Sequence, residues 1–191
     1  MTQCFEEPPL NNNICVIDDK YVSEEKTTFH YKSTGKVFIH FQVEDEKNII
    51  WYKLSGFTGE RSLRDPKTNK VLFKFKSKTH LTKSNEIIIT SMKDDKEIQT
   101  ITCNSNVKSS LKCYICEIEF FNIATEKKEL IEIQCSPLFN YCSIYYGRKK
   151  ENGVLIGQFS SSKTLFNYDF KIDIAPGVDT LFILLLIIEI F

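Results

Sequence analysis

The stretch Pro176-Gly-Val-Asp-Thr-Leu-Phe-Ile-Leu-Leu-Leu-Ile-Ile-Glu-Ile-Phe191 contains an uninterrupted apolar run from Leu181 to Ile188. A membrane-spanning helix needs about 20 apolar residues, so a run this short is more typical of a helix buried in a core. A helix over residues 179–190 would be apolar on every side, and the rest of the chain must therefore enclose it. Pro176-Gly177 predicts a turn before this helix, and Asp179 is suited to cap its N-terminus. The alternatives are a membrane anchor and a long buried strand.

The residues before this run alternate between apolar and polar side chains, as half-buried antiparallel strands do. The clearest case is the segment 166–174, in which Phe170, Ile172 and Ile174 face one way while Lys171 and Asp173 face the other. The alternation shifts phase within the run 109–121, which predicts a β-bulge. The predicted strands lie near residues 26–33, 36–44, 49–55, 59–64, 70–77, 86–93, 97–102, 109–121, 129–135, 141–147, 153–159 and 165–174.

These segments predict a mainly β fold, a twelve-stranded antiparallel closed barrel that encloses a hydrophobic C-terminal α-helix. A closed barrel has no free strand edges, but at this strand number its lumen is too wide for its own side chains to fill. The apolar helix would fill the lumen, and the barrel would remove the helix from water. Residues 1–25 show no clear period. We predict a loosely ordered N-terminal arm over 1–25 and the barrel domain over 26–191.

The charge and cysteine content favour certain partners and compartments. The chain has 191 residues with 25 Lys+Arg and 25 Asp+Glu, so its formal net charge is zero. Proteins that bind nucleic acid usually have a basic excess, and we expect no nucleic-acid partner here. The first residues show no signal-peptide pattern, and the odd number of cysteines, 7, favours reduced thiols. We expect a cytoplasmic protein.

We predict no catalytic residue, metal site or cofactor, and a protein that is not an enzyme. Cys113 and Cys116 form the one Cys-x-x-Cys pair, but within a regular strand their side chains would face opposite sides and could not share a metal ion. The histidines His30, His40 and His80 follow no pattern that places them beside a nucleophile. Nucleotide-binding glycine motifs are absent from the sequence.

Basic residues cluster in two places, on one predicted hairpin arm and in the loop of another hairpin. Alternating charge on a strand is most often only the solvated face of a sheet. The functional interpretation is that these side chains meet anionic lipid headgroups, where each basic residue contributes about 1 kcal/mol. The candidate lipid-binding residues are Lys70, Lys74, Lys76, Lys78, Arg148, Lys149 and Lys150.

Two stretches resemble the LURP-one-related family of the Tubby C-terminal-like superfamily, to which the phospholipid scramblases are related. Arg61-Ser-Leu-Arg-Asp-Pro-Lys-Thr-Asn-Lys-Val-Leu-Phe-Lys-Phe-Lys-Ser-Lys78 is similar to a hairpin of this family, with Asn69 where the family usually has Gly. The segment 169–189 is similar to the family's final strand, Pro-Gly-Val-Asp turn and central helix. The resemblance runs from about residue 26 onward and implies a twelve-stranded barrel around a C-terminal helix.

The resemblance and the basic clusters together predict a non-enzymatic protein that binds peripherally to a phospholipid, such as a phosphoinositide, or to a protein partner. Anionic phospholipid headgroups at the inner face of the plasma membrane are the expected lipid partner. One alternative is a scramblase-like membrane protein, although the sequence shows neither a Pro-rich N-terminal region beyond Pro8-Pro9 nor an acidic calcium loop near the last strand. The other is a protein–protein adaptor without lipid affinity.

Overall fold

Twelve antiparallel strands form a closed barrel around one α-helix, which confirms the fold predicted from the sequence. The computed structural model describes residues 10–34, 40–56, 59–81, 84–111, 113–163 and 168–190. Consecutive strands pair along the chain, and β1 pairs with β12 to close the barrel. The elements are β1 Thr27–Thr34, β2 His40–Asp45, β3 Ile50–Ser55, β4 Arg61–Arg64, β5 Val71–Lys78, β6 Asn85–Lys93, β7 Lys96–Ser109, β8 Tyr114–Asn122, β9 Lys127–Cys135, β10 Tyr141–Tyr146, β11 Val154–Lys163, β12 Tyr168–Ile174 and α1 Thr180–Ile190.

The helix α1 fills the lumen of the barrel. Every side chain from Leu181 to Ile188 is at most 2% exposed, because inward-facing strand residues surround the helix on all sides. Asp179 caps its N-terminus by accepting a hydrogen bond from the Phe182 N–H at 2.9 Å. At the other end, the Arg61 guanidinium donates to the Ile188 carbonyl. In the described part of the chain, no helix has the length and apolar content needed to cross a membrane.

The direction of α1 distinguishes the two ends of the barrel, which we call the entry end and the exit end. The entry end is where β1 begins and α1 enters the lumen, beside the turns β2–β3, β4–β5, β6–β7, β8–β9 and β10–β11. The exit end is where α1 finishes, beside the turns β3–β4, β5–β6, β7–β8 and β9–β10.

Part of the predicted N-terminal arm is packed against the entry end. Ile14 and Val16 are buried, and the Ile14 N–H donates to the Gly177 carbonyl at 2.8 Å. The expectation of loose order is therefore wrong for this short segment, because its apolar side chains and backbone bonds complete the core above α1. Residues 1–9 lie outside the described residues, and the domain boundary near residue 25 stays a prediction.

Two further expectations are corrected. The phase shift within 109–121 is not a bulge, because β7 ends at Ser109, and the Ser110 N–H donates to the Cys113 carbonyl at 2.9 Å in a hairpin turn before β8. The expectation that all cysteines are reduced is also wrong. Cys135 of β9 and Cys142 of β10 are directly paired in the sheet and form a disulfide.

Candidate anion-binding surface

The two basic clusters predicted from the sequence lie on different walls of the barrel. Lys74 and Lys76 are on β5, whereas residues 148–150 connect β10 to β11. The strands β6 to β9 stand between these two walls. Lys70 and Lys78 are separated along the barrel axis, since Lys70 precedes β5 at the entry end and Lys78 is its last residue at the exit end. The structure therefore does not bring the predicted residues together in one patch.

Two side chains of the cluster at 148–150, Arg148 and Lys149, already contact neighbouring residues of this chain. Arg148 Nε lies 3.0 Å from Glu117 Oε1, and Arg148 Nη1 lies 3.3 Å from Glu151 Oε1. The hydrogen bond from Arg148 holds the pKa of Glu117 below its ordinary value. Lys149 Nζ lies 5.2 Å from the centre of the Tyr145 ring, which is a cation–π distance. Lys150 is exposed and has no ion pair with any residue that the structure describes.

The lysines of β5 point outward as predicted, because they alternate with the buried Phe73 and Phe75. Glu60 forms ion pairs with both of the central lysines: Lys76 Nζ lies 2.9 Å and Lys74 Nζ lies 3.8 Å from its carboxylate oxygens. The hydrogen bond from Lys76 lowers the pKa of Glu60.

At the two ends of the same strand, Lys70 Nζ lies 3.1 Å from Asp94 Oδ1, and Lys78 is exposed without an ion pair among the described residues.

A groove across β2, β3 and β4 contains two cations that no local sequence pattern indicated. Gln42, Lys53 and Arg64 are direct cross-strand neighbours, so they form one row on the outer face of the barrel. The groove has a volume of ≈ 590 Å³, and Phe41, Leu54, Ser55 and Asn69 are its other lining residues. The three residues of the row come from three separate strands, and only pairing in the sheet makes them neighbours.

Arg64 is held in position by its own hairpin. Its Nε donates to Ser55 Oγ at 2.8 Å, and its Nη1 donates to the Asn69 carbonyl at 3.0 Å. Asn69 has φ 59°, and the Asp65 carboxylate supports the same turn by accepting from the Thr68 N–H at 2.6 Å. The guanidinium is thereby oriented before any ligand arrives, while the ammonium of Lys53 extends from an exposed position beside it.

Two other grooves differ from this one in charge. A groove of ≈ 750 Å³ at the entry end is lined by Asp19 and Glu24 among others. A groove of ≈ 660 Å³ includes Glu25, Asp45 and Glu46 in its lining, next to several lysines. Of the three, the groove across β2 to β4 alone has no carboxylate among its described lining residues. It is the groove whose charge suits an anion.

The described residues show no arrangement typical of a catalytic or metal centre. His30 Nδ1 lies 3.4 Å from Asp169 Oδ1, and His80 Nε2 lies 3.4 Å from Glu86 Oε1. The side chain of His40 lies outside the described residues. In the described ranges, no group of His, Cys, Asp and Glu side chains could hold a metal ion.

Of the two cysteines in the Cys-x-x-Cys pair, Cys116 belongs to β8, and its thiol is buried in the lumen. Burial raises the pKa of this thiol to about 12, and it stays protonated at neutral pH. Cys113 lies in the turn before β8.

The family model that describes LURP-one-related proteins matches residues 27–191, which is most of the chain. The chain belongs to the LURP-one-related family. The X-ray structure of a protein from Arabidopsis thaliana is similar to it, with a TM-score of 0.54, 16% identity, and coverage of 90% of this chain and 93% of that one. At this identity the likeness shows the fold alone. A search of the curated proteins found no significant match.

The two stretches that carry the LURP-one-related resemblance meet in the structure. Arg61 begins the hairpin stretch, and its guanidinium binds the Ile188 carbonyl in the last turn of the helix stretch. Asn69 occupies the position where the family usually has Gly, and its φ of 59° lies in the left-handed region that Gly and Asn tolerate best. The hairpin of this LURP-one-related chain therefore both caps the helix and orients Arg64.

Proposed function

We propose that this LURP-one-related chain is a non-enzymatic module that binds peripherally to anionic phospholipids, with the groove across β2, β3 and β4 as its headgroup site. The observation that supports this most is the combination of Lys53 and Arg64 in a groove whose described lining contains no carboxylate. Ammonium and guanidinium groups are the side chains that proteins use to bind phosphate, and a guanidinium can bind two of its oxygens at once.

Lys74 and Lys76 extend the positive charge beyond the groove. Ser62 of β4 pairs with Ser55 on one side and with Lys74 on the other, so the two lysines begin one strand away from the groove. One carboxylate, Glu60, faces both ammonium groups, which leaves a local positive excess. A set of four cations, at about 1 kcal/mol for each, supports reversible rather than permanent attachment to a membrane.

The lipid class that best suits this surface is a phosphoinositide, because several phosphates on one headgroup match an oriented guanidinium with ammonium groups around it. Anionic lipids of this kind are concentrated in the cytoplasmic leaflet of the plasma membrane. We accordingly propose a cytoplasmic protein that binds at the inner face of the plasma membrane. The enclosure of α1 by the barrel favours this interpretation over a scramblase-like protein that uses the helix as an anchor.

The test is flotation of the purified chain with vesicles of three compositions: phosphatidylcholine alone, with phosphatidylserine, and with a phosphoinositide. We expect binding to the two anionic compositions, strongest with the phosphoinositide, and weaker binding as salt is added. Equal binding to neutral and anionic vesicles would contradict the proposal, and absence of binding to all three would favour the protein–protein adaptor.

Charge-reversal variants locate the site. We expect Lys53→Glu with Lys74→Glu to weaken binding to anionic vesicles strongly, since both residues lie on the outer face beside the groove. The matched control is Lys149→Glu with Lys150→Glu, which reverses the same number of charges on the other wall. The groove is the wrong site if the control pair weakens binding as much as the first pair.

A further inference from the structure

Three hairpin tips at the exit end each carry an exposed leucine. Leu81 lies in the turn β5–β6 and is 103% exposed, Leu111 lies in the turn β7–β8 and is 98% exposed, and Leu138 lies in the turn β9–β10 and is 72% exposed. Neighbouring tips are two strand spacings apart, roughly 10 Å along the rim. Leucines at these tips can be removed from water only by something outside this chain.

The charges around the exit end differ from those around the entry end. Lys78 and Lys108 are exposed beside the tips that carry Leu81 and Leu111, and Lys108 pairs with Glu117 at 3.5 Å while staying largely solvated. In the described parts of the exit-end turns, the single carboxylate is Glu60, which already pairs with lysines. The entry-end turns contain six carboxylates, among them Asp65, Asp94 and Asp95, and as many cations.

The entry end also exposes apolar side chains, but in another setting. Ile49, Ile98 and Ile123 are 55%, 62% and 45% exposed, and Trp51 and Phe121 are 49% and 53% exposed, which is less than any of the three leucines. They stand among turns of mixed charge, whose carboxylates an anionic surface would repel. The two ends therefore differ in the exposure of their apolar side chains and in the number of carboxylates around them.

We infer that the exit end of the barrel inserts its three leucine tips into the surface of an anionic bilayer. This inference rests on the proposed function, to which it adds the orientation of the barrel and the apolar part of the attachment. Separate leucines on separate tips do not make the continuous apolar face that a folded protein partner needs. Fluid acyl chains can accept each side chain independently, while Lys78 and Lys108 meet the headgroups around them.

The chain contains one tryptophan, Trp51, and it lies at the entry end with its Nε1 bonded to Asp45. It is therefore a built-in control for an insertion experiment with brominated acyl chains, which quench tryptophan fluorescence on contact. With anionic vesicles that contain brominated lipid, we expect Trp51 emission to stay unquenched. In the variant Trp51→Phe with Leu111→Trp, we expect the new tryptophan to be quenched and its emission to shift to shorter wavelength.

Flotation with the same anionic vesicles measures how much the tips contribute. We expect Leu81→Ser with Leu111→Ser and Leu138→Ser to weaken binding by about a hundredfold or more, since an inserted leucine contributes about a tenfold factor. The matched control, Ile49→Ser with Ile98→Ser and Ile123→Ser, should bind like the wild type. Both variants change exposed side chains only, so thermal unfolding should show the same cooperative transition for both.

The outcomes separate this inference from the proposed function. If the wild type fails to float with anionic vesicles, the proposed function is wrong and the inference falls with it. If the wild type floats but the serine tip variant floats equally well, with the tryptophan at position 111 unquenched, the inference alone is overturned. Quenching of Trp51 instead of the tip tryptophan would show that the opposite end inserts, and a dimer that only the serine tip variant loses would show that the tips bind a second copy.

Discussion

The entry end of the barrel is held together by buried hydrogen bonds, whereas the exit end exposes three leucines to solvent. At the entry end, the start of an apolar helix and a returning N-terminal segment are sealed by buried hydrogen bonds. At the exit end, the helix stops beneath turns that present leucines to the outside. The hydrogen bonds that hold the entry end and the leucine tips of the exit end are therefore separated along the barrel axis, so that each can be changed without the other.

Asp179 is the centre of the entry end. It is fully buried, and its Oδ2 accepts from the Val16 N–H at 3.1 Å and from the Ile17 N–H at 2.7 Å, while Oδ1 caps the helix. Burial raises the pKa of this carboxyl, and the hydrogen bonds that it accepts act against that rise. One side chain thus joins the N-terminal segment to α1 and satisfies amides that would otherwise be buried without partners.

Asn122 likewise binds the backbone of the N-terminal segment through its side chain. Its Oδ1 accepts from the Cys15 N–H at 3.0 Å, and its Nδ2 donates to the Asn13 carbonyl at 3.0 Å. Together with Asp179, it ties residues 13–17 to two distant parts of the chain. The exit end has no comparable network among its described residues beyond the bond from Arg61 to α1.

The largest expected effect tests whether the lumen really excludes water. Leu185→Asp should prevent folding, because Leu185 is 1% exposed and the new carboxylate would be buried without a partner. Circular dichroism and gel filtration of the variant measure this directly. The matched control is Leu138→Asp at an exposed tip, which should fold normally, and a cooperatively folded Leu185→Asp protein would refute the enclosed helix.

The second-largest expected effect concerns the hydrogen bonds by which Asp179 joins the N-terminal segment to α1. Asp179→Ala should lower the free energy of unfolding by about 3 kcal/mol, since it removes the helix cap and leaves the amides of Val16 and Ile17 unpaired. Urea denaturation measures the change. Asp179→Asn keeps one acceptor oxygen and should lose less, so equal losses in the two variants would mean that the hydrogen bonds at Asp179 contribute little.

Much of the fold could be predicted because it depends on local periodicity. The alternation around Phe73 and Phe75 and the apolar run of α1 depend on side chains that are near one another in sequence, and the structure confirms both. The N-terminal segment could not be predicted in the same way. Its order depends on Asp179, a partner more than 160 positions away, and no local period records such a contact.

The candidate site was harder to predict for a related reason. Lysines that alternate on one strand are conspicuous in a sequence, whereas the row of Gln42, Lys53 and Arg64 exists only across three paired strands. Two of the leucine tips could have been recognised from the sequence. Leu111 and Leu138 interrupt turn sequences, Ser109-Ser-Leu111 and Ser136-Pro-Leu138, in which an apolar residue has no local reason to occur.

A smaller effect concerns the pH dependence of the entry end. Arg148 lowers the pKa of Glu117 below its ordinary value of 4.5, so this pair stabilises the fold above that pH and the contribution is lost as the pH falls through the lowered value. Arg148→Met should therefore lower the free energy of unfolding slightly at neutral pH, because the pair is partly solvated, and by still less in acid. Urea denaturation across the acid range measures this, and a difference between the two proteins that grows as the pH falls would contradict the pairing.

The smallest expected effect lies at the exit end, where a leucine can be compared with one inside the lumen. Leu111→Ala should change the free energy of unfolding by less than about 0.5 kcal/mol, because its side chain is already in water, whereas Leu184→Ala inside the lumen should lower it by about 3 kcal/mol or more. Parallel urea denaturation of the two variants measures the contrast with the same chemical change at both sites. A substantial loss at Leu111 would mean that the tip is part of the fold. If Leu111→Ala leaves the free energy of unfolding almost unchanged but weakens vesicle binding, the exposed side chain of Leu111 contributes to membrane binding and not to the fold.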